Sequence, residues 1–227
     1  MMNFRDSRHL IATCLILSAL LLCVVAAGCT ILGAAAAKLA PDPVMPPQYV
    51  LANQPTLLLV ENYHNPAALR LQADSVCRAV FDDLKANGVA LLIDPEEAAD
   101  LRRKDVNAYR SMPLDAIGKA VGASQVIYVD LESFEVTHAV ASELFAGTAS
   151  ARVRVVGETG EVLWPTDSAG GYPINVKVNP RHTAQGEPEN VVREELMTAL
   201  SEKIGRLFHK WTADSIDGGA EQFSQLQ

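Results

Sequence analysis

The sequence predicts an α/β fold: a single-domain sandwich in which a mixed β-sheet is covered by helices, with a long helix near the carboxyl end. Three observations lead there. Residues 56–60, Thr-Leu-Leu-Leu-Val, form a short continuous apolar run, the pattern of a strand buried on both faces. Helix-period stretches then alternate with further short apolar runs, as βαβ crossovers require. From residue 124 the pattern changes to long segments of alternating polarity joined by turn residues, which reads as an antiparallel meander.

Ahead of this domain lies a different kind of chain. Arg5 and Arg8 are followed by residues 10–25, an apolar run without charge, and then by Ala26-Ala27-Gly28-Cys29. A charged start, a short apolar core and small residues before a cut site describe a secretory signal peptide, residues 1–28. The Ala-Ala-Gly-Cys ending resembles the lipobox of bacterial lipoproteins, with Ala26 where that pattern usually carries Leu. The resemblance implies a diacylglycerol on the Cys29 sulfur, palmitate-type acylation and cleavage that leaves Cys29 as the new amino terminus. An ordinary secreted chain cut near Ala27 and an uncleaved anchor helix are the alternatives. By resemblance to lipoprotein sorting, Thr30 after the cysteine implies the outer membrane, with the domain facing the periplasm.

Residues 29–55 read as a lipid-anchored tether. They hold four consecutive alanines, Ala34 to Ala37, then Pro41, Pro43, Pro46, Pro47 and Pro55. The prolines rule out a regular helix through most of this stretch, leaving Ile31 to Leu39 as a candidate short helix at the membrane surface. A spacer of about 25 residues reaches up to roughly 80 Å when extended.

Charge and cysteines narrow the function. The chain carries 19 Lys and Arg against 27 Asp and Glu. Removal of Arg5, Arg8 and Asp6 leaves 17 against 26, too acidic for the basic footprint of a nucleic-acid binder or for charge-driven docking on anionic lipid. Of the four cysteines, Cys14 and Cys23 lie in the leader and Cys29 is the lipid site. Cys77 alone remains in the domain, so no internal disulfide forms there, and its apolar helical setting reads as a buried, inert thiol.

The elements follow in order over residues 56–211. After the first strand, Asn65-Pro66 reads as a helix start, with Leu69, Ala73, Val76, Val80 and Leu84 on one face and Asn87-Gly88 as its end. Residues 89–93 form the second strand. Asp94-Pro95-Glu96-Glu97 opens another helix, its carboxylates explained by capping. A third follows Pro113, with Leu114, Ile117 and Val121 inward and Gly122 as its stop. Residues 124–139 form a long strand in which Ile127, Val129 and Leu131 share one face while Phe134 and Val136 have the opposite parity. Both sets reach the core only if a β-bulge lies near Glu132-Ser133. Residues 147–156 alternate with Ala149, Ala151, Val153 and Val155 inward and Arg152 and Arg154 outward. A hairpin turn at residues 158–161 leads to Val162-Leu163-Trp164, and residues 173–178 form an edge strand. The closing helix spans residues 189–211, with Val192, Leu196, Leu200, Ile204, Leu207 and Trp211 as its stripe. Residues 212–227 form a polar, flexible tail.

The run from Leu114 to Val129, a helix, Gly-Ala and a strand, with Gly-Glu-Val-Leu-Trp at 160–164, resembles the TolB amino-terminal-like lipoproteins. That group includes the curli secretion channel lipoprotein, lipoprotein activators of penicillin-binding proteins and transport-associated lipoproteins. The resemblance covers roughly residues 55–210 and implies an envelope adaptor or assembly factor without enzymatic activity or cofactor. The chain departs from the curli channel in lacking a pair of long alternating membrane hairpins.

Three functions are then weighed. The first is a membrane-tethered periplasmic adaptor that offers an edge strand or loop to a protein partner. Arg152, Arg154 and Tyr172 are its candidate contacts, although a solvated strand face and a tucked loop aromatic account for the same residues. The second is a subunit of an oligomeric secretion or transport assembly. The third, a periplasmic hydrolase, lacks a Gly-x-Ser-x-Gly elbow and a His-Glu-x-x-His helix. The histidines of the mature chain, His64, His138, His182 and His209, lack metal-ligand spacing.

Overall fold

A computed structural model describes residues 43–63, 69–89, 91–139, 144–168, 170–181 and 188–212. The leader, Cys29, most of the tether, His64, the Asn65-Pro66 helix start, Ala169, His182 and the tail beyond Thr212 lie outside the described residues. Residues Met45–Trp211 form one compact unit. Its elements are β1 (Pro55–Glu61), α1 (Arg70–Ala86), β2 (Leu91–Ile93), α2 (Pro95–Lys104), α3 (Val106–Ser111), α4 (Leu114–Ala120), β3 (Gln125–Ala139), β4 (Leu144–Gly157), β5 (Val162–Trp164), β6 (Tyr172–Arg181) and α5 (Pro188–Gly205). Two further strands of two residues each are Val44–Met45 and Trp211–Thr212.

The predicted mixed sheet is present, in the order β2-β1-β3-β4-β5, with β6 also paired to β4. β1 is parallel to both β2 and β3, while β3–β4, β4–β5 and β4–β6 are antiparallel. The apolar run of β1 is buried throughout, because helices cover both of its faces. Leu58 and Val60 pack toward α1 and α5, and Leu57 and Leu59 toward α2, α3 and α4.

The bulge predicted in the long strand is there: the β3–β4 register shifts between Leu131 and Ser133. The extra residue moves Phe134 onto the face of Ile127, Val129 and Leu131, and all four are buried.

Several boundaries differ from the sequence reading. Helix α1 begins at Arg70, after Leu69 in the left-handed region at φ 56° and without a side-chain cap. Helix α3 is additional. Asp105 creates it by breaking from α2 in extended conformation and accepting hydrogen bonds from the Asn107 and Ala108 amides at 3.0 and 2.9 Å.

The closing helix ends at Gly205, short of Trp211. Tight turns follow, with Leu207 and Phe208 amides donating to the Ile204 and Gly205 carbonyls. The Leu207 carbonyl accepts instead from the Tyr49 amide, 3.0 Å away. The turn buries Phe208, which the predicted stripe omitted, and leaves Trp211 half-buried under the Arg206 guanidinium. Val192, Leu196, Leu200 and Ile204 are fully buried as predicted.

Candidate functional site

The sequence-predicted contact residues divide between two faces. Arg152 and Arg154 project from β4 on the face away from α5. The Arg152 Nε donates to Glu132 at 2.7 Å, and the Arg154 guanidinium lies 4.8 Å from the Tyr128 ring centre. Tyr172 begins β6 rather than sitting in a loop. Its ring packs on the opposite, core side, stacked 5.1 Å from Trp164, which in turn meets Tyr49 and Phe208. The two arginines therefore share a surface and Tyr172 does not join it. Cys29 lies outside the described residues.

Beyond α4 this arginine face carries no helix among the described residues. β6 continues it with exposed Pro173, Asn175, Lys177 and Asn179, alternating with buried Ile174, Val176 and Val178. β6 pairs only with β4 among the described strands, which makes it the predicted edge. Pro173 has no N–H to give, so its nitrogen belongs on the outer side, and the two-residue period of a strand turns the backbone groups of Asn175 and Lys177 outward with it. The Asn175 carbonyl is taken by the Lys203 ammonium from α5 at 2.9 Å. Partial burial holds Lys203 below the ordinary lysine range. An edge blunted by a lysine and a proline resists indiscriminate strand pairing, which leaves the Lys177 stretch as its open part.

Sequence reasoning missed a second polar centre, at the carboxyl end of β1. Glu61 accepts a hydrogen bond from the Tyr109 hydroxyl of α3 at 2.9 Å. The Arg102 guanidinium of α2 lies 3.5 Å from Glu61 and 3.6 Å from Asp74 of α1. Burial raises the Glu61 carboxyl above its ordinary value, opposed by the Tyr109 hydrogen bond and by Arg102. Burial also raises the Tyr109 phenol, which stays protonated and donates. The available signal was Glu61 itself, a carboxylate ending a continuous apolar strand. Cys77 borders this centre with its thiol 3.7 Å from the Leu58 carbonyl, and burial pushes its pKa up to about 12. It is the buried thiol the sequence predicts, with little thiolate to act as a nucleophile.

The described histidines stand apart. His138 stacks on Phe145, and His209 pairs with Asp83 at 2.8 Å. Among the described residues no group of three His, Cys, Asp or Glu is placed to hold a metal ion, and no helix is long and apolar enough to cross a membrane.

No family model matches the chain, and no curated protein matches it. Among solved structures it is similar to lipoprotein GNA1162 from Neisseria meningitidis, at 11% identity and a TM-score of 0.44 over 66% of this chain and 96% of that one. It is also similar to a PelC dodecamer from Paraburkholderia phytofirmans, at 13% identity and 0.40 over 74% and 99%. A third is a minor lipoprotein from Acinetobacter baumannii, at 13% identity and 0.38 over 69% and 92%. None of the three defines a family for this chain.

Proposed function

We propose that the chain is a non-enzymatic lipoprotein of a bacterial cell envelope, anchored through Cys29 and acting as a periplasmic adaptor or assembly factor of the TolB amino-terminal-like kind. The observation that carries this reading is Ala26-Ala27-Gly28-Cys29 directly after the uncharged apolar run of residues 10–25. Two features of the domain support it. The arginines that the sequence offers as contacts lie on a sheet face, beside an edge strand, that no described element covers. The ionisable pairs around Glu61 and Asp83 join separate elements to one another.

A photo-crosslinking side chain in place of Lys177 on the β6 edge, compared with one in place of exposed Asn107 on α3, tests the reading in cells. The adaptor reading expects an adduct with one envelope protein from position 177 and none from 107. An adduct between two copies of this chain favours a subunit of an oligomeric secretion or transport assembly instead. Equal labelling from both positions contradicts use of the edge.

A further inference from the structure

Two neighbouring parallel strands send the chain to opposite faces of the sheet. β1 leads into α1 on one face, and β2 leads into α2 on the other. In open α/β sheets such divergence opens a crevice at the carboxyl ends of the strands, where ligands settle. A cavity of about 150 Å³ occupies this place, roughly ten times what one water needs.

Its lining follows from the topology. β2 pairs with β1 only as far as Leu57, so the edge of β1 from Leu58 to Val60 is left facing the cavity. Arg70, Asp74 and Arg78 lie at four-residue intervals on one face of α1. Arg102 and Arg103 of α2 stand beside the small side chains of Ala98 and Ala99, which leave the space open. Four guanidinium groups and two carboxylates, Asp74 and Glu96, line the crevice, and Glu61, Asp94 and Asp100 pair with those arginines from beside it.

The four arginines are not equivalent. Arg70, Arg78 and Arg103 are roughly half exposed at the mouth, held by Asp74, by Asp94 with Glu96, and by Glu96 with Asp100. Arg102 is inside, its side chain 15% exposed. Its contacts with Glu61 and Asp74, at 3.5 and 3.6 Å, are longer than the ~2.7–2.9 Å of a charge-assisted hydrogen bond. Its Nε is buried and meets no acceptor among the described residues.

We propose that this crevice binds a small oxyanion, the carboxylate or phosphate group of a small molecule, with Arg102 as the inner donor and Arg70 and Arg78 at the mouth. A guanidinium offers parallel N–H groups that match two oxygens of such a group. The arginines at the mouth already have carboxylate partners, so the anion is assigned to Arg102, whose contacts with Glu61 and Asp74 are too long to satisfy its guanidinium. The site is independent of the anchor and of the β6 edge.

The test is thermal melting of the full-length protein in detergent, titrated with inorganic phosphate or with succinate at constant ionic strength against chloride. The expected result is a saturable rise in midpoint with at least one anion. Half-saturation should move at least tenfold higher in Arg102→Gln and stay unchanged in Arg110→Gln, an exposed site on α3. Phosphate alone acting identifies a phosphate group, and succinate alone a carboxylate. Should Arg102→Gln fail to fold, Arg70→Gln at the exposed mouth should weaken the response several-fold. The proposal is overturned if neither anion exceeds chloride, or if the response is the same in wild type, Arg70→Gln and every Arg102 variant that folds.

Discussion

The two halves of the sheet are built on different terms. In the parallel half β1 is sandwiched between helices, and Leu57, Leu58, Leu59 and Val60 are at most 5% exposed. In the antiparallel half β6 has one covered face: Ile174, Val176 and Val178 are buried, while Pro173, Asn175, Lys177 and Asn179 face solvent. A continuous apolar run and a strict alternation are the sequence signatures of these two situations. The covered half fixes the crevice at the ends of its strands. The half-covered one presents a polar face and an edge among the described residues.

The largest expected effect lies where both halves share one core. Leu200 of α5 is fully buried, and Leu200→Asp places an unpaired carboxylate there at a cost of several kcal/mol. Against a total stability of about 5–15 kcal/mol the variant should lose its cooperative melting transition in circular dichroism. Consecutive alanine substitutions separate the halves. Leu58→Ala and Leu59→Ala should each cost about 2–5 kcal/mol in urea unfolding, as should Ile174→Ala. Asn175→Ala, next to Ile174 on the same strand, should stay within about 0.5 kcal/mol. A large loss at Asn175 would mean that the open face is covered after all.

A pH-dependent effect is expected in the parallel half. Because burial raises the folded pKa of Glu61, the folded chain binds this proton more tightly than the unfolded chain does. The associated stability is fully present below the unfolded value of about 4.3 and is lost as pH rises through the higher folded value. Denaturation midpoints should therefore fall over that window in wild type relative to Glu61→Gln, and a gap that changes in the opposite sense would contradict the assignment. The smallest effect is expected on the open face. Arg152 and Glu132 are each more than one-third exposed, and a pair screened by water contributes about 0–1 kcal/mol, so Arg152→Ala should leave the unfolding midpoint nearly unchanged.

Legibility from sequence follows the same division. The parity conflict between Leu131 and Phe134 located the bulge, because a strand has one period and the core one side. The helix end is hard to read from sequence because Leu207, Phe208 and Trp211 continue an apolar periodicity that the backbone abandons at Gly205. The local stop signal is Gly205 itself, which the apolar period on either side obscures, and the Tyr49 amide takes the Leu207 carbonyl beyond it. Arg152 and Arg154 were legible as a shared face from their spacing. The Glu61–Arg102–Tyr109 centre was not, since residues 48 apart meet only through the crossover that places α3 beneath β1.

The central claim, attachment through Cys29, is tested most directly by intact mass spectrometry of the membrane-extracted protein, with Cys29→Ala alongside. The account predicts a wild-type chain that begins at Cys29 and carries the added mass of a lipid, and a Cys29→Ala chain that no longer fractionates with membranes. A membrane-bound species whose mass begins at Met1 in both proteins would contradict it and identify residues 10–25 as an uncleaved anchor.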